Sequence, residues 1–297
     1  MKKILIAGGS GLLGVNSSKY LSNKYKIYSL YSSTKYFFEN KNIETIQSDL
    51  TNFQLTNDII SFINPDIILN FSGLTSVEKC QKFPALASEL NIKVANHLSI
   101  ISQKLNMYYV QMSTDHLFNQ LNIFFDESNT TDPINIYSKT KVEAERISLF
   151  NNPKSLIIRS NFYCSSIDSK ISFIDKIIED TKNNNQLKLF DDVTFTPVSF
   201  NLMLDYIVDL YNLNAYGIFN ISSNEKISKY EFGLKVLNYH RMDVTNVKKI
   251  SINDLKLVKR PLNMALSNNK LKTFLKIQTP SIDDQLNLFF NNFAYKN

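Results

Sequence analysis

Tryptophan is absent from the 297 residues, histidine occurs three times and cysteine twice. Cys80 and Cys164 have neither the density of a disulfide-stapled secreted domain nor the close spacing of a thiolate metal site, so two free, buried thiols and no metal are expected. No apolar stretch approaches the roughly 18 residues of a membrane span. The apolar run after Lys2 and Lys3, Ile4 to Ala7, is too short for the core of a signal peptide. The expectation is a cytoplasmic protein without a membrane partner. Asn129-Thr130-Thr131 fits a glycosylation sequon, which chance alone supplies in an asparagine-rich intracellular chain. The formal charge is +6, yet the basic residues are scattered and form no run of five or six, which argues against a nucleic-acid-binding arm. A mild positive field still favours an anionic cofactor and a diphosphate-bearing substrate.

What is present is an ordinary folded composition, 43% hydrophobic and 20% charged, in a chain long enough for one large domain and a smaller lobe. The first 115 residues alternate short β-branched runs with helical-period segments, the rhythm of βαβ units on a parallel sheet. Strands are expected at Lys3 to Ala7, Lys26 to Leu30, Ile43 to Gln47, Asp66 to Asn70 and Met107 to Met112. Helices are expected at Leu12 to Ser22, Leu55 to Ile63 and Pro84 to Leu105. A helix from Tyr137 to Phe150 and a strand from Ser155 to Ile158 continue the pattern. Beyond Arg159 the rhythm loosens into helices at 171–181, 202–213, 229–237 and 282–290, with strands at 187–190 and 217–221. The expected fold class is α/β: a Rossmann-type doubly wound parallel sheet with a smaller C-terminal α/β substrate lobe. The cofactor domain should cover 1–160, taking in part of 192–216, and a discontinuous substrate lobe should cover 161–297.

Gly8-Gly9-Ser10-Gly11-Leu12-Leu13-Gly14 follows the first strand and opens a helix, the context that turns a weak glycine pattern into a dinucleotide-binding one. Gly8, Ser10, Gly11, Leu12, Leu13 and Gly14 are therefore expected around a pyrophosphate, held by backbone N–H groups and the helix dipole. An NAD enzyme usually carries Asp or Glu at the end of the second strand. Here the segment reads Leu30-Tyr31-Ser32-Ser33-Thr34-Lys35, without a carboxylate. Ser32, Ser33 and Lys35 suit a 2′-phosphate, so NADP(H) is favoured over NAD(H). Asp49 and Leu50, after the third strand, are candidate adenine contacts.

Tyr137 and Lys141 lie four residues apart, on one helix face. A tyrosine is a poor acid or base at neutral pH unless a neighbouring ammonium stabilises its phenolate. The pair alone is common and more often lies on a solvated helix face. Its context is Ser113-Thr114-Asp115-His116-Leu117-Phe118 at the end of the fifth strand, where open α/β sheets place ligands.

Glycine loop, hydroxyl and Tyr/Lys pair occur in this order at spacings that resemble the extended short-chain dehydrogenase/reductases. More narrowly, Gly8 to Gly14, Pro65 to Asn70, Ser113 to Phe118, Asp132-Pro133 to Lys141, and Arg260-Pro261 resemble the dTDP-4-dehydrorhamnose reductases and their sugar-nucleotide-binding relatives. The resemblance implies Thr114, Tyr137 and Lys141 as catalytic residues, with Asn91 supporting the proton relay. It places Ser72, Gly73 and Leu74 along the cofactor, and Thr75, Asp115, His116, Asn161, Phe195 and Arg260 toward a nucleotide-sugar substrate. The implied activity is NADPH-dependent reduction of a nucleotide-linked 4-keto sugar in deoxysugar or surface-polysaccharide biosynthesis, by a homodimer. Two alternatives share these residues: a redox-neutral epimerase or dehydratase, and a non-catalytic NADP-binding subunit like the methionine adenosyltransferase β-subunit. The chain departs from the reductases at His116, where they carry Tyr, at Asn119-Gln120, where they carry Gly, and after the sixth strand, where Arg159 to Tyr163 has no tryptophan. Asn161 resembles the substrate-binding Asn of related epimerases. Phe195, in Phe195-Thr196-Pro197, more often reads as loop packing, and Arg260 is suited to gripping a diphosphate bidentately.

Overall fold

The computed structural model describes residues 1–167 and 170–292; residues 168–169 and 293–297 of the expected substrate lobe lie outside it. Two compact units are present. The first comprises Met1–Thr114, Asn135–Arg159 and Ile207–Phe219; the second comprises Asp115–Ile134, Ser160–Tyr206 and the chain from Asn220 onward. Residues 115–134, assigned by the sequence to the first region, pack within the second: Asp132 N–H donates to the Leu117 carbonyl and Phe125 N–H to that of Ala265.

The first unit is built on β1 (Lys3–Ala7), β2 (Lys26–Tyr31), β3 (Ile43–Gln47), β4 (Ile67–Asn70), β5 (Tyr108–Met112) and β6 (Leu156–Arg159). These six strands pair in parallel in the order β6-β5-β4-β1-β2-β3, and the strand Gly217–Asn220 joins beside β6. All residues of β4 and β6 are buried, which is why they read as unbroken apolar runs. The chain moves outward through β2 and β3, then returns to the other side of β1. This reversal opens a crevice at the carboxyl ends of β1 and β4. Helices α1 (Leu12–Leu21) and α2 (Phe53–Ile63) fill the first crossovers.

The segment expected as one helix from Pro84 to Leu105 is instead α4 (Pro84–Ser88), a π-helical turn (Glu89–Lys93) and α5 (Val94–Lys104), preceded by α3 (Val77–Lys82). The extra residue of a π turn rotates the helix face, and such turns concentrate at functional sites; here it carries the buried Asn91. Helix α6 (Ile136–Asn151) starts at a capping box in which Asn135 accepts from Ser138 N–H, fixing Tyr137 in its first turn.

The second unit has short strands; that at Leu187–Phe190 falls where the sequence places it, whereas the two-residue strands are too short for any period-2 pattern to announce. Phe162–Tyr163 pairs in parallel with Val198–Ser199, and Leu187–Phe190 with Val247–Ile250; Thr194–Phe195 lies between Ile227–Ser228 and Asn263–Met264. Around them pack the helices Phe173–Lys182, Lys229–Tyr239, Asn269–Leu275 and Ile282–Asn292. Its core is aromatic: the buried Phe232 ring meets Tyr163 at 5.3 Å, Phe195 at 5.5 Å and Phe173 at 6.2 Å. Among the described residues no helix is long and apolar enough to cross a membrane.

Candidate active site

In the first unit the glycine loop sits at the carboxyl end of β1. Gly8 has φ +89°, and a Cβ there would lie 2.7 Å from the Ser72 nitrogen, so β1 and the segment after β4 approach as closely as backbone allows. A Cβ on Gly14 would lie 2.2 Å from the Gly8 carbonyl oxygen, so the first turn of α1 seats directly on the loop. Its cap, Gly11, supplies no side-chain acceptor to the first-turn N–H groups. Leu12 begins that turn and the buried Leu13 anchors it. A cradle of bare backbone and helix N–H groups fits a dinucleotide pyrophosphate.

Gly9 N–H donates to the Leu30 carbonyl at 2.7 Å, which brings the end of β2 beside the loop. Beyond it Ser32, Ser33 and Lys35 are exposed, and Lys35 Nζ rests 4.9 Å from the Phe37 ring centroid. The Asp49 carboxylate accepts from Thr51 N–H at 2.9 Å and Thr51 Oγ1 at 2.7 Å; these bonds hold it below its ordinary pKa and commit it to the turn entering α2. Leu50 packs on the core under the sheet.

After β4, Ser72 Oγ donates to Asn70 Oδ1 at 2.6 Å. Leu74 N–H donates to Asn91 Oδ1 at 2.7 Å, while Asn91 Nδ2 donates to the Leu74 carbonyl at 3.1 Å and to Thr140 Oγ1 at 2.9 Å. Asn91 thus ties the segment holding Gly73 and Leu74 to α6, the helix of Tyr137. Its amide is committed to that positioning. Thr75, next along, is exposed.

Thr114, Tyr137 and Lys141 are all buried in this unit. Lys141 Nζ donates to the Met112 carbonyl at 2.6 Å, two residues before Thr114 at the end of β5. Burial pulls this ammonium down from 10.5 to about 8, against the opposing pull of Glu145 and of Cys80. Cys80 Sγ donates to the Leu74 carbonyl at 3.2 Å, and burial raises its thiol.

One constellation escaped the sequence reading. Arg159 grips Glu145 through Nη2 at 2.7 Å and Nε at 3.0 Å, and Ser113 Oγ also donates to Glu145. All three are buried. This charged network locks the end of β5, with Ser113 and Thr114, to α6 and β6. The signal was present: Glu145 follows Lys141 by four residues, as Lys141 follows Tyr137, so the three share one face of α6.

The remaining residues implied as substrate contacts belong to the second unit. The buried Asp115 accepts from Asn161 Nδ2 at 2.6 Å and lies 3.8 Å from His116 Nε2. Desolvation holds the His116 imidazole below its ordinary pKa, opposed by Asp115 and assisted by Lys229 and Arg260. Arg260 Nε donates to the Val258 carbonyl at 3.4 Å. Phe195 is buried beneath Lys229, whose Nζ stands 3.3 Å from the ring centroid. Lys229 was missed, because a lone lysine opening a helix has no distinguishing spacing. Among the described residues no cluster of three or more His, Cys, Asp or Glu could hold a metal ion.

Residues 1–295 match the profile of the RmlD substrate binding domain. The dTDP-4-dehydrorhamnose reductase of Aggregatibacter actinomycetemcomitans is 24% identical over 293 residues, 94% of this chain and 95% of that protein. The methionine adenosyltransferase 2 subunit beta of Rattus norvegicus is 22% identical over 292 residues, 92% of this chain and 82% of that protein. In three dimensions, the crystal structure of a dTDP-4-dehydrorhamnose reductase from Bacillus anthracis in complex with NADP superposes with a TM-score of 0.83 at 24% identity, covering 98% of this chain and 99% of that one. The chain belongs to the family defined by the RmlD substrate binding domain.

Proposed function

We propose that this protein is an NADPH-dependent reductase of a nucleotide-linked 4-keto sugar, its first unit holding the cofactor and its second the substrate. The observation that carries the reading is Lys141, a desolvated ammonium fixed on the Met112 carbonyl at the carboxyl edge of the sheet, one helical turn from Tyr137 and in the same unit as the glycine cradle. Family membership and the likeness to dTDP-4-dehydrorhamnose reductases support it.

Bound at the cradle, NADPH supplies the hydride for the keto carbon. The chain supplies the rest. Backbone N–H groups of Gly8–Gly14, with Leu12 and Leu13 in the first helical turn, hold the pyrophosphate. Ser32, Ser33 and Lys35 offer hydroxyls and a cation to the 2′-phosphate and no carboxylate that would repel it. Thr114 orients the carbonyl, and Tyr137 gives its proton to the sugar oxygen. Lys141 and the N-terminus of α6 favour the phenolate left behind. Asn91 acts on Tyr137 through α6, as a positioning residue. Location in the cytoplasm and assembly as a homodimer accompany this reading.

The test is oxidation of NADPH, with NADH in parallel, against a panel of nucleotide-linked 4-keto sugars, using Tyr137→Phe as control. The variant is expected to lose about a thousandfold in turnover while binding NADPH as the wild type does. Full turnover by the variant would remove Tyr137 from the mechanism. Tight NADPH binding without oxidation would favour a redox-neutral sugar-nucleotide enzyme or, if the chain co-purifies with a synthetase, a regulatory subunit.

A further inference from the structure

We propose that Lys229 determines substrate specificity, gripping with Arg260 the phosphate groups of the nucleotide-linked substrate. The inference rests on the reductase reading for the identity of that substrate, but on this unit's own geometry for the site. Lys229 follows Ser228, which caps its helix in a box with Glu231. Its Nζ stands 3.3 Å from the Phe195 ring centroid and 5.5 Å from that of Phe173. Both rings pack on the buried Phe232, so the aromatic core holds the ammonium in place from beneath.

Among the described residues, Nζ of Lys229 makes neither a hydrogen bond nor an ion pair, its partners being the rings of Phe195 and Phe173. Lys229 feels the Asp115 carboxylate, but that carboxylate is engaged by Asn161 at 2.6 Å and faces His116. A desolvated ammonium with three donors to place is costly until oxygen-rich anions meet it. His116 feels the positive field of both Lys229 and Arg260, so the two cations act on one locality. An ammonium and a guanidinium acting on one locality fit phosphate oxygens better than a neutral sugar. The face of Phe195 is taken by the cation, so Phe195 acts through Lys229 and does not stack a base or sugar.

The test is calorimetric titration of the whole chain, as wild type, Lys229→Met and Lys229→Arg, with dTDP, thymidine and inorganic pyrophosphate, and with NADPH to verify folding. Lys229→Met should weaken dTDP and pyrophosphate by about tenfold or more, leave thymidine and NADPH unchanged, and raise KM for the keto sugar with little effect on kcat. Lys229→Arg should recover most of the affinity. Wild-type affinity for dTDP in Lys229→Met, or no dTDP binding by the wild type, would overturn the assignment even if NADPH oxidation proceeds. Loss of dTDP binding in the variant, with no turnover by the wild type, would uphold Lys229 and sink the reductase. Should Lys229→Met fail to bind NADPH, Phe195→Leu takes its place, with the same loss of dTDP affinity expected and unchanged affinity refuting the proposal.

Discussion

Replacing Lys141 by Met is expected to stabilise the fold while abolishing turnover. Burial takes the ammonium from 10.5 to about 8, and at about 1.4 kcal/mol per unit the charged form carries a penalty of about 3 kcal/mol at neutral pH. The substitution forfeits the bond to the Met112 carbonyl, worth about 1 kcal/mol net. That carbonyl keeps a partner, because Gln111 Nε2 donates to it at 2.9 Å. The balance is a gain of about 2 kcal/mol. Its pH dependence follows from which state holds the proton. The folded chain releases it near pH 8 and the unfolded chain keeps it to about 10.5, so the wild type gains relative stability as pH rises between those values. The advantage of the variant is therefore full at pH 7 and largely gone by pH 10. Urea unfolding followed by circular dichroism at both values reads this directly. A variant less stable than wild type at pH 7, or an advantage indifferent to pH, would refute the reasoning.

Glu145→Gln should cost about 3–5 kcal/mol, because the buried Arg159 guanidinium loses its counter-charge; adding Arg159→Met should restore much of the loss, and an unshifted thermal midpoint in the single variant would show the network to be dispensable. Turnover should fall as pH rises through about 8, since Lys141 must stay protonated beside the phenolate, and Glu145→Gln should move that alkaline limb lower because Glu145 raises the Lys141 pKa; a limb that stays put disproves the coupling. Gly14→Ala should weaken NADPH about tenfold or more, its Cβ driving against the Gly8 carbonyl, as read from the fluorescence of the cofactor itself. Undiminished affinity would mean that the cradle does not need the close seat of α1.

The first unit was legible because its signals are local. Fully buried strands such as Ile67–Asn70 cannot avoid reading as apolar runs, and a glycine at residue 8 after such a strand has few other uses. The pairing of Tyr137 with Lys141 needed only helical spacing. The break in the expected Pro84–Leu105 helix was not legible, because a π turn preserves helical composition and is driven by where Asn91 must point: at Leu74 and Thr140, far away in sequence. Glu145 was hidden for a different reason. A glutamate on a helix reads as surface until a distant arginine, Arg159, is known to be buried against it. In the second unit, strands of two residues such as Phe162–Tyr163 and Thr194–Phe195 leave no alternation to detect, and the aromatic core around Phe232 joins segments spread from Tyr163 to Phe232.

Lys141 and Lys229 share one property that bears on the choice among readings. Each is pulled by burial to about 8, one in each unit, and each therefore carries a destabilising charge at neutral pH. Folding alone would be served better by Met at either position. A unit that merely held a nucleotide could satisfy ribose hydroxyls with neutral donors, at no such cost. A buried ammonium one turn from a tyrosine is useful where a phenolate must form and be stabilised. One laid over the Phe195 ring, with Arg260 acting on the same His116, is useful where oxyanions must be held. Costs of this kind are expected where positive charge takes part in the chemistry, which favours an enzyme over a binding subunit on physical grounds independent of the name of any relative.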